Sequence, residues 1–147
     1  MKALTLTQPW ASLIAAGEKR IETRSWSTRH RGPLAIHAAL GFPPAARRRC
    51  ATEPTASALR RHGWADAASL PRGAIVATCR LVDVRPIASP ADAPPGDHAA
   101  FGDFGPGRWA WVLEDIRPLV PPRPARGRLG LWEIDIQTRP SPLTPET

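Results

Sequence analysis

The stretch GEKRIETRSW, residues 17–26, gathers Lys19, Glu22, Arg24 and Trp26 into a short span. An ammonium, a carboxylate, a guanidinium and an indole together suit a nucleotide. The indole stacks on a base, the cations meet phosphate, and the carboxylate accepts from base or ribose donors. In a catalytic site, Lys19 and Glu22 would be the pair to transfer protons or activate water. The architectural alternative is a surface ion-pair ladder of Lys19, Glu22 and Arg24, worth under ~1 kcal/mol per pair, with the tryptophan in the core.

These residues depend on the elements on either side. KALTL, residues 2–6, alternates as a strand does, and Thr7-Gln8-Pro9 ends it, with Thr7 or Gln8-Pro9 opening a helix. From Pro9 to Ala16, Trp10, Leu13 and Ile14 share one stripe, and Gly17 closes the helix. Lys19 therefore stands at a helix-to-strand corner. Residues 20–26 read as a strand with Glu22, Arg24 and Trp26 on one face and Ile21 and Thr23 on the other. Gln8 and Trp10, at the start of the preceding helix, would close the opposite wall of a cleft, and helix amides near Gln8 would favour an anion. His37, in the buried strand LAIHAA, either points toward the same cleft or is a hydrogen-bonded core histidine.

Further along, residues 43–62 form a helical excursion broken near Pro54, with ARRRC and LRRH as its basic patches. GAIVATCRLVDVRPI is a strand ended by Pro86. Residues 88–107, rich in Pro, Asp and Gly, read as a loop. RWAWVLEDIRPL is a strand bent near Glu114-Asp115, whose Trp109 and Trp111 share one face. PPRPARGRLG connects it to a last strand, LWEIDI. Six short strands with early helices and no βαβα series predict an α+β fold: a small, mostly antiparallel barrel or sheet with flanking helices. One domain spans residues 1–137, and residues 138–147 form a tail without an apolar pattern, expected to be disordered.

The net charge is +7, and 18 of the 20 basic residues are arginine, whose fork matches phosphate. An Ala-, Arg- and Pro-rich composition arises equally from GC-rich coding, so charge alone leaves the partner open. No apolar run approaches the ~20 residues of a membrane span, and the start carries no signal-peptide pattern. Cys50 and Cys79 lack metal-type spacing and fit a reduced, cytoplasmic compartment. No metal cage and no cofactor are expected.

LTLTQPWASLIAAGEKRIETRSW, followed by GPLAIHAA, GAIVATCRLVDV, WAWVLEDIRPL and RGRLGLWEI, resembles the ASCH (activating-signal-cointegrator homology) family of the PUA-like superfamily, in its small stand-alone, bacterial-type form. QPWA in this order and spacing with GEKRIETRSW is the specific part, and the likeness covers residues 2 to about 136. The resemblance implies a five- or six-stranded pseudobarrel with a cleft between the first helix and the G-x-K-x-x-E-x-R segment. It implies RNA as partner, and in some small bacterial relatives removal of the acetyl group from N4-acetylcytidine. Those enzymes resemble G-x-K-x-x-T-x-R, where the lysine activates the threonine. Here Lys19 matches, but Glu22 holds the threonine position and Thr23 comes one residue later, on the other pleat. Their later acidic partner has no clear counterpart, although Asp92, Asp97 and Asp103 are available.

Three readings follow. The first is a domain that binds RNA or a modified nucleotide through Gln8, Trp10, Lys19, Glu22, Arg24, Trp26 and His37. The second is a hydrolase of RNA or of an acylated nucleoside, with Lys19 and Glu22 catalytic. The third is a protein-interaction domain whose arginines are a solvated face.

Overall fold

A computed structural model describes residues 1–136; the tail expected at 138–147 lies outside the described residues. Six strands, β1 (Lys2–Leu6), β2 (Ile21–Arg24), β3 (Gly32–Ala38), β4 (Ala74–Pro86), β5 (Trp109–Pro124) and β6 (Leu131–Glu133), join in one sheet in the order β2-β5-β4-β3-β1-β6. Three helices, α1 (Trp10–Ala15), α2 (Pro44–Cys50) and α3 (Thr55–Arg61), flank it. Every pairing is antiparallel except β1 with β3. A parallel pair needs a crossover, and the segment carrying α1 and β2 supplies it. The fold is α+β, a curled mixed sheet forming a half-barrel, consistent with a PUA-like barrel.

Curvature comes from β4 and β5, whose register shifts between Ile75 and Ala77, Thr78 and Arg80, and Leu81 and Asp83. Such bulges bend and twist a long ribbon. Asp115, at φ 52°, marks the bend foreseen near Glu114-Asp115, and aspartate is one of the few side chains that tolerate this conformation. The strand period sorts the side chains: Leu4, Leu6, Leu34, Ile36, Leu81 and Trp111 meet Ala11 and Ile14 of α1 in the main core. Ala3, Ala35, Ile75 and Trp132 form a smaller cluster on alternate strand positions. A third cluster of Leu13, Ala58, Leu59, Leu70 and Phe101 ties α1 to α3.

Several boundaries differ from expectation. Residues 88–107 contain 3-10 turns at Pro90–Asp92 and Gly96–Phe101, and Phe101 is buried. Such short turns leave no periodic signature in the sequence. β5 runs on through PPRP because Arg123 and Pro124 pair with Ile75 and Ala74, so the connection to β6 is shorter than expected. β6 ends at Glu133, short of LWEIDI, and β2 ends at Arg24. Among the described residues no helix is long and apolar enough to cross a membrane.

Candidate functional site

Gly17 adopts φ 80°, and the amides of Glu18 and Lys19 both donate to Leu13 O. This helix ending needs a left-handed residue, which glycine supplies without a Cβ penalty. It turns Lys19 inward, where the side chain is 1% exposed. Lys19 Nζ donates to Ile21 O at 2.6 Å and to Phe101 O, and lies 3.3 Å from Glu22 Oε1. Trp10 lays its ring 5.7 Å from the same ammonium. Burial pulls the Lys19 pKa below the ordinary lysine value, and the Glu22 carboxylate pulls it back up. Three acceptors stand ready for the three ammonium protons.

Glu22 is buried between two cations. Its Oε2 lies 3.2 Å from Arg24 Nε, off hydrogen-bond alignment, so that buried N–H has no hydrogen-bond partner. Arg24 is oriented instead by Nη2, which donates to Thr5 O at 2.7 Å. Thr23 sits on the other pleat yet also borders the site, because residues 101–104 fold over this edge strand. Thr23 Oγ1 accepts from the Asp103 amide at 3.1 Å, and Arg108 donates to Thr23 O and Asp103 O. At Gly102 a Cβ would come within 3.2 Å of the Phe104 ring, 3.3 Å of Thr23 Oγ1 and 3.4 Å of Lys19 Nζ. Glycine lets the loop approach this closely.

These groups border a cleft of about 700 Å³, within the usual range for ligand sites. β1 contributes Thr5 and Leu6, followed by Thr7; α1 contributes Trp10; β2 contributes Glu22, Thr23 and Arg24. Ala45, Ala46 and Arg49 of α2 form another wall, with the loop residues Phe101, Gly102, Asp103 and Phe104 and with Arg108. Of the residues singled out from sequence, Trp10, Glu22 and Arg24 line the cleft, and Lys19 lies beneath it.

Gln8, Trp26 and His37 stand elsewhere. Gln8 is fully buried. Its Oε1 accepts from Ser12 N, satisfying an amide in the first turn of α1, while Nε2 donates to Ser12 Oγ and Pro71 O. It thus does the capping expected of Thr7. Trp26 packs edge-on against Trp111 at 4.9 Å, and its carbonyl accepts from the Trp111 indole. His37 is buried against Trp132 and bonded to Thr5 Oγ1 and Ala125 O. Of the three aspartates considered for an acidic role, Asp103 borders the cleft. Among the described residues no cluster of three or more His, Cys, Asp or Glu could hold a metal.

Sequence reasoning missed Thr5, Arg49, Phe104 and Arg108 as wall residues. Arg49 carried a signal, the basic run ARRRC; the others carried none.

The ASCH domain matches residues 4–102, two-thirds of the chain. The chain belongs to the ASCH domain family. The match spans α1, β2, α2 and the wall as far as Gly102; Asp103, Phe104 and Arg108, which complete this ASCH cleft, fall beyond it. The chain is also 30% identical over 132 residues to activating signal cointegrator 1 of Mus musculus, and 29% identical over 132 residues to that of Homo sapiens. Each alignment covers 90% of this chain and 22% of the relative, so the chain spans about a fifth of the length of these relatives.

Proposed function

We propose that the cleft binds one nucleotide of a single-stranded RNA. The observation that carries this reading is the Glu22 carboxylate on the floor, between two cations and beneath an aromatic wall, with arginines at the rim. Trp10 and Phe104 offer rings for stacking, Glu22 accepts from an exocyclic amine or ring N–H, and Arg24, Arg49 and Arg108 meet phosphate and sugar. Lys19 supports Glu22 from beneath the floor, while Gln8, Trp26 and His37 make their contacts elsewhere in the fold. Membership of the ASCH family, whose likeness to PUA-like domains implies RNA binding, supports the same assignment. The setting we propose is a reducing cytoplasm, in keeping with two free cysteines.

The test is a fluorescence-anisotropy titration of labelled single-stranded RNA at low salt. Trp10→Ala should weaken binding about tenfold, corresponding to ~1–3 kcal/mol per stacked base. Glu22→Gln should weaken it modestly. Incubation with N4-acetylcytidine and with RNA, read by mass, distinguishes the second reading. Turnover that Glu22→Gln abolishes while sparing affinity would make this a hydrolase. Absence of RNA affinity at low salt would favour a protein-interaction domain.

A further inference from the structure

Helix α2 buries none of its residues, carries no acidic side chain in PAARRRC, and makes no side-chain cap. A short helix is held by an apolar face, by caps or by i,i+4 pairs, and α2 has little of any of these. It presents three consecutive arginines to solvent instead. Arg49 borders the cleft, while Arg47 and Arg48, a helical step or two round, lie off that face. Arg47 stacks on the Phe42 ring at 5.0 Å and donates to Phe42 O. Arg72, from the segment before β4, reaches the same ring at 5.8 Å and donates to Leu40 O. Among the described residues, Arg47, Arg48, Arg49 and Arg72 make no ion pair, and neither do Arg20, Arg29, Arg31, Arg80, Arg126 and Arg128; what sets the four apart is that they gather on α2 and on the Phe42 ring beside it. The helix dipole favours cations in the last turn of α2, but it gives no reason for Arg72 to join them from another segment. Four guanidinium groups without a carboxylate partner, two of them oriented by the Phe42 ring and main-chain carbonyls, stand beside a nucleotide-sized cleft and suit a chain of phosphates.

We propose that α2 carries the phosphodiester backbone of the RNA away from the cleft, with Arg49 meeting phosphate at the mouth and Arg48, Arg47 and Arg72 meeting those that follow. The proposal rests on the cleft being a nucleotide site, and it makes the ligand a polynucleotide rather than a free nucleoside.

The experiment titrates the protein with single-stranded RNA of about a dozen nucleotides, a length typical of single-strand sites. Salt is varied over about 50–200 mM, and a nucleoside monophosphate is titrated in parallel. Each phosphate contact on a single strand contributes about 0.7 to the slope of log K against log salt, or about fivefold in affinity near 0.1 M. The double variant Arg48→Gln/Arg72→Gln should reduce that slope by about 1.4 and weaken RNA binding more than tenfold. Arg48→Lys should keep the slope, and mononucleotide affinity should not change in either variant. Arg48 is exposed and its side chain makes no hydrogen bond or ion pair with the described residues, so Arg48→Gln alone keeps the test valid if the double variant misfolds. An unchanged slope, with Trp10→Ala still impaired, would overturn the α2 path and leave the cleft standing. So would RNA binding no tighter than mononucleotide. Absence of any binding by the wild type would remove both.

Discussion

Lys19 shows how a residue chosen for chemistry can serve a different part of the site. Its ammonium straps the main chain at Phe101, 82 residues away, to the floor of the cleft and pairs with one carboxylate oxygen of Glu22. Lys19→Met keeps the aliphatic stem but strands two carbonyl acceptors and leaves Glu22 facing only Arg24. Removing one partner of a buried pair costs about 3–5 kcal/mol, so the urea midpoint should fall by a corresponding amount. RNA affinity should fall too, because the 101–104 wall loses its strap. A variant as stable as wild type would show that the ammonium is dispensable there. The sequence made the Lys19–Glu22–Arg24 grouping legible because the three share one helix-to-strand corner. Their depth was not legible, since it depends on Phe101 and Gly102, whose approach to β2 has no local pattern.

At the scale of elements, local punctuation proved readable. Gly17, Pro54 and Pro86 mark the ends or breaks of their segments, and β4 announced itself through its valine and isoleucine content. The unreadable parts were those set by pairing partners, such as the continuation of β5 through PPRP, and by tertiary contact, such as α2 lying along the cleft. One inter-element link is open to a pH test. Glu18, just beyond α1, accepts from Arg61 at 3.1 Å and 3.2 Å and from His62 at 3.1 Å, at the end of α3. The Arg61 hydrogen bonds, helped by His62 and opposed by partial burial, hold its carboxyl below the ordinary 4.5. A depressed carboxyl contributes stability that is complete above the unfolded value and is lost as pH falls through the folded one. The urea midpoint of wild type should therefore exceed that of Glu18→Gln at pH 7, and the gap should close as pH drops below about 4.5. Glu53 and Asp97 also act on Arg61, but they are common to both proteins, so the difference isolates Glu18. A gap that persists at pH 3 would refute the linkage.

At the scale of the whole molecule, the sheet separates the side that bears the cleft from a side that holds the barrel wall together. Ala125 O can only accept, so His37 Nε2 donates to it at 2.7 Å. In that tautomer Nδ1 accepts from Thr5 Oγ1, which in turn accepts from Trp132 Nε1 at 3.1 Å. This chain of bonds pins β6 and the connection after β5 against β1 and β3. Gly127 lies tight upon it: a Cβ there would come 2.7 Å from His37 Cε1, 2.9 Å from Nδ1 and 3.0 Å from Thr5 Oγ1. The ring is held on both nitrogens and against Trp132, so it has little room to yield. Gly127→Ala should cost about 1–3 kcal/mol, the usual range for overpacking. That loss would appear as a lower urea midpoint at unchanged denaturant slope. RNA affinity measured well below the transition should stay at the wild-type value, because the clash falls on the His37 ring and the Thr5 hydroxyl, whereas Arg24 in the cleft is held by the Thr5 main-chain oxygen. If affinity instead falls in step with stability, the shift at Thr5 has been transmitted through β1 to Arg24. The wall and the site would then be one mechanical unit rather than two.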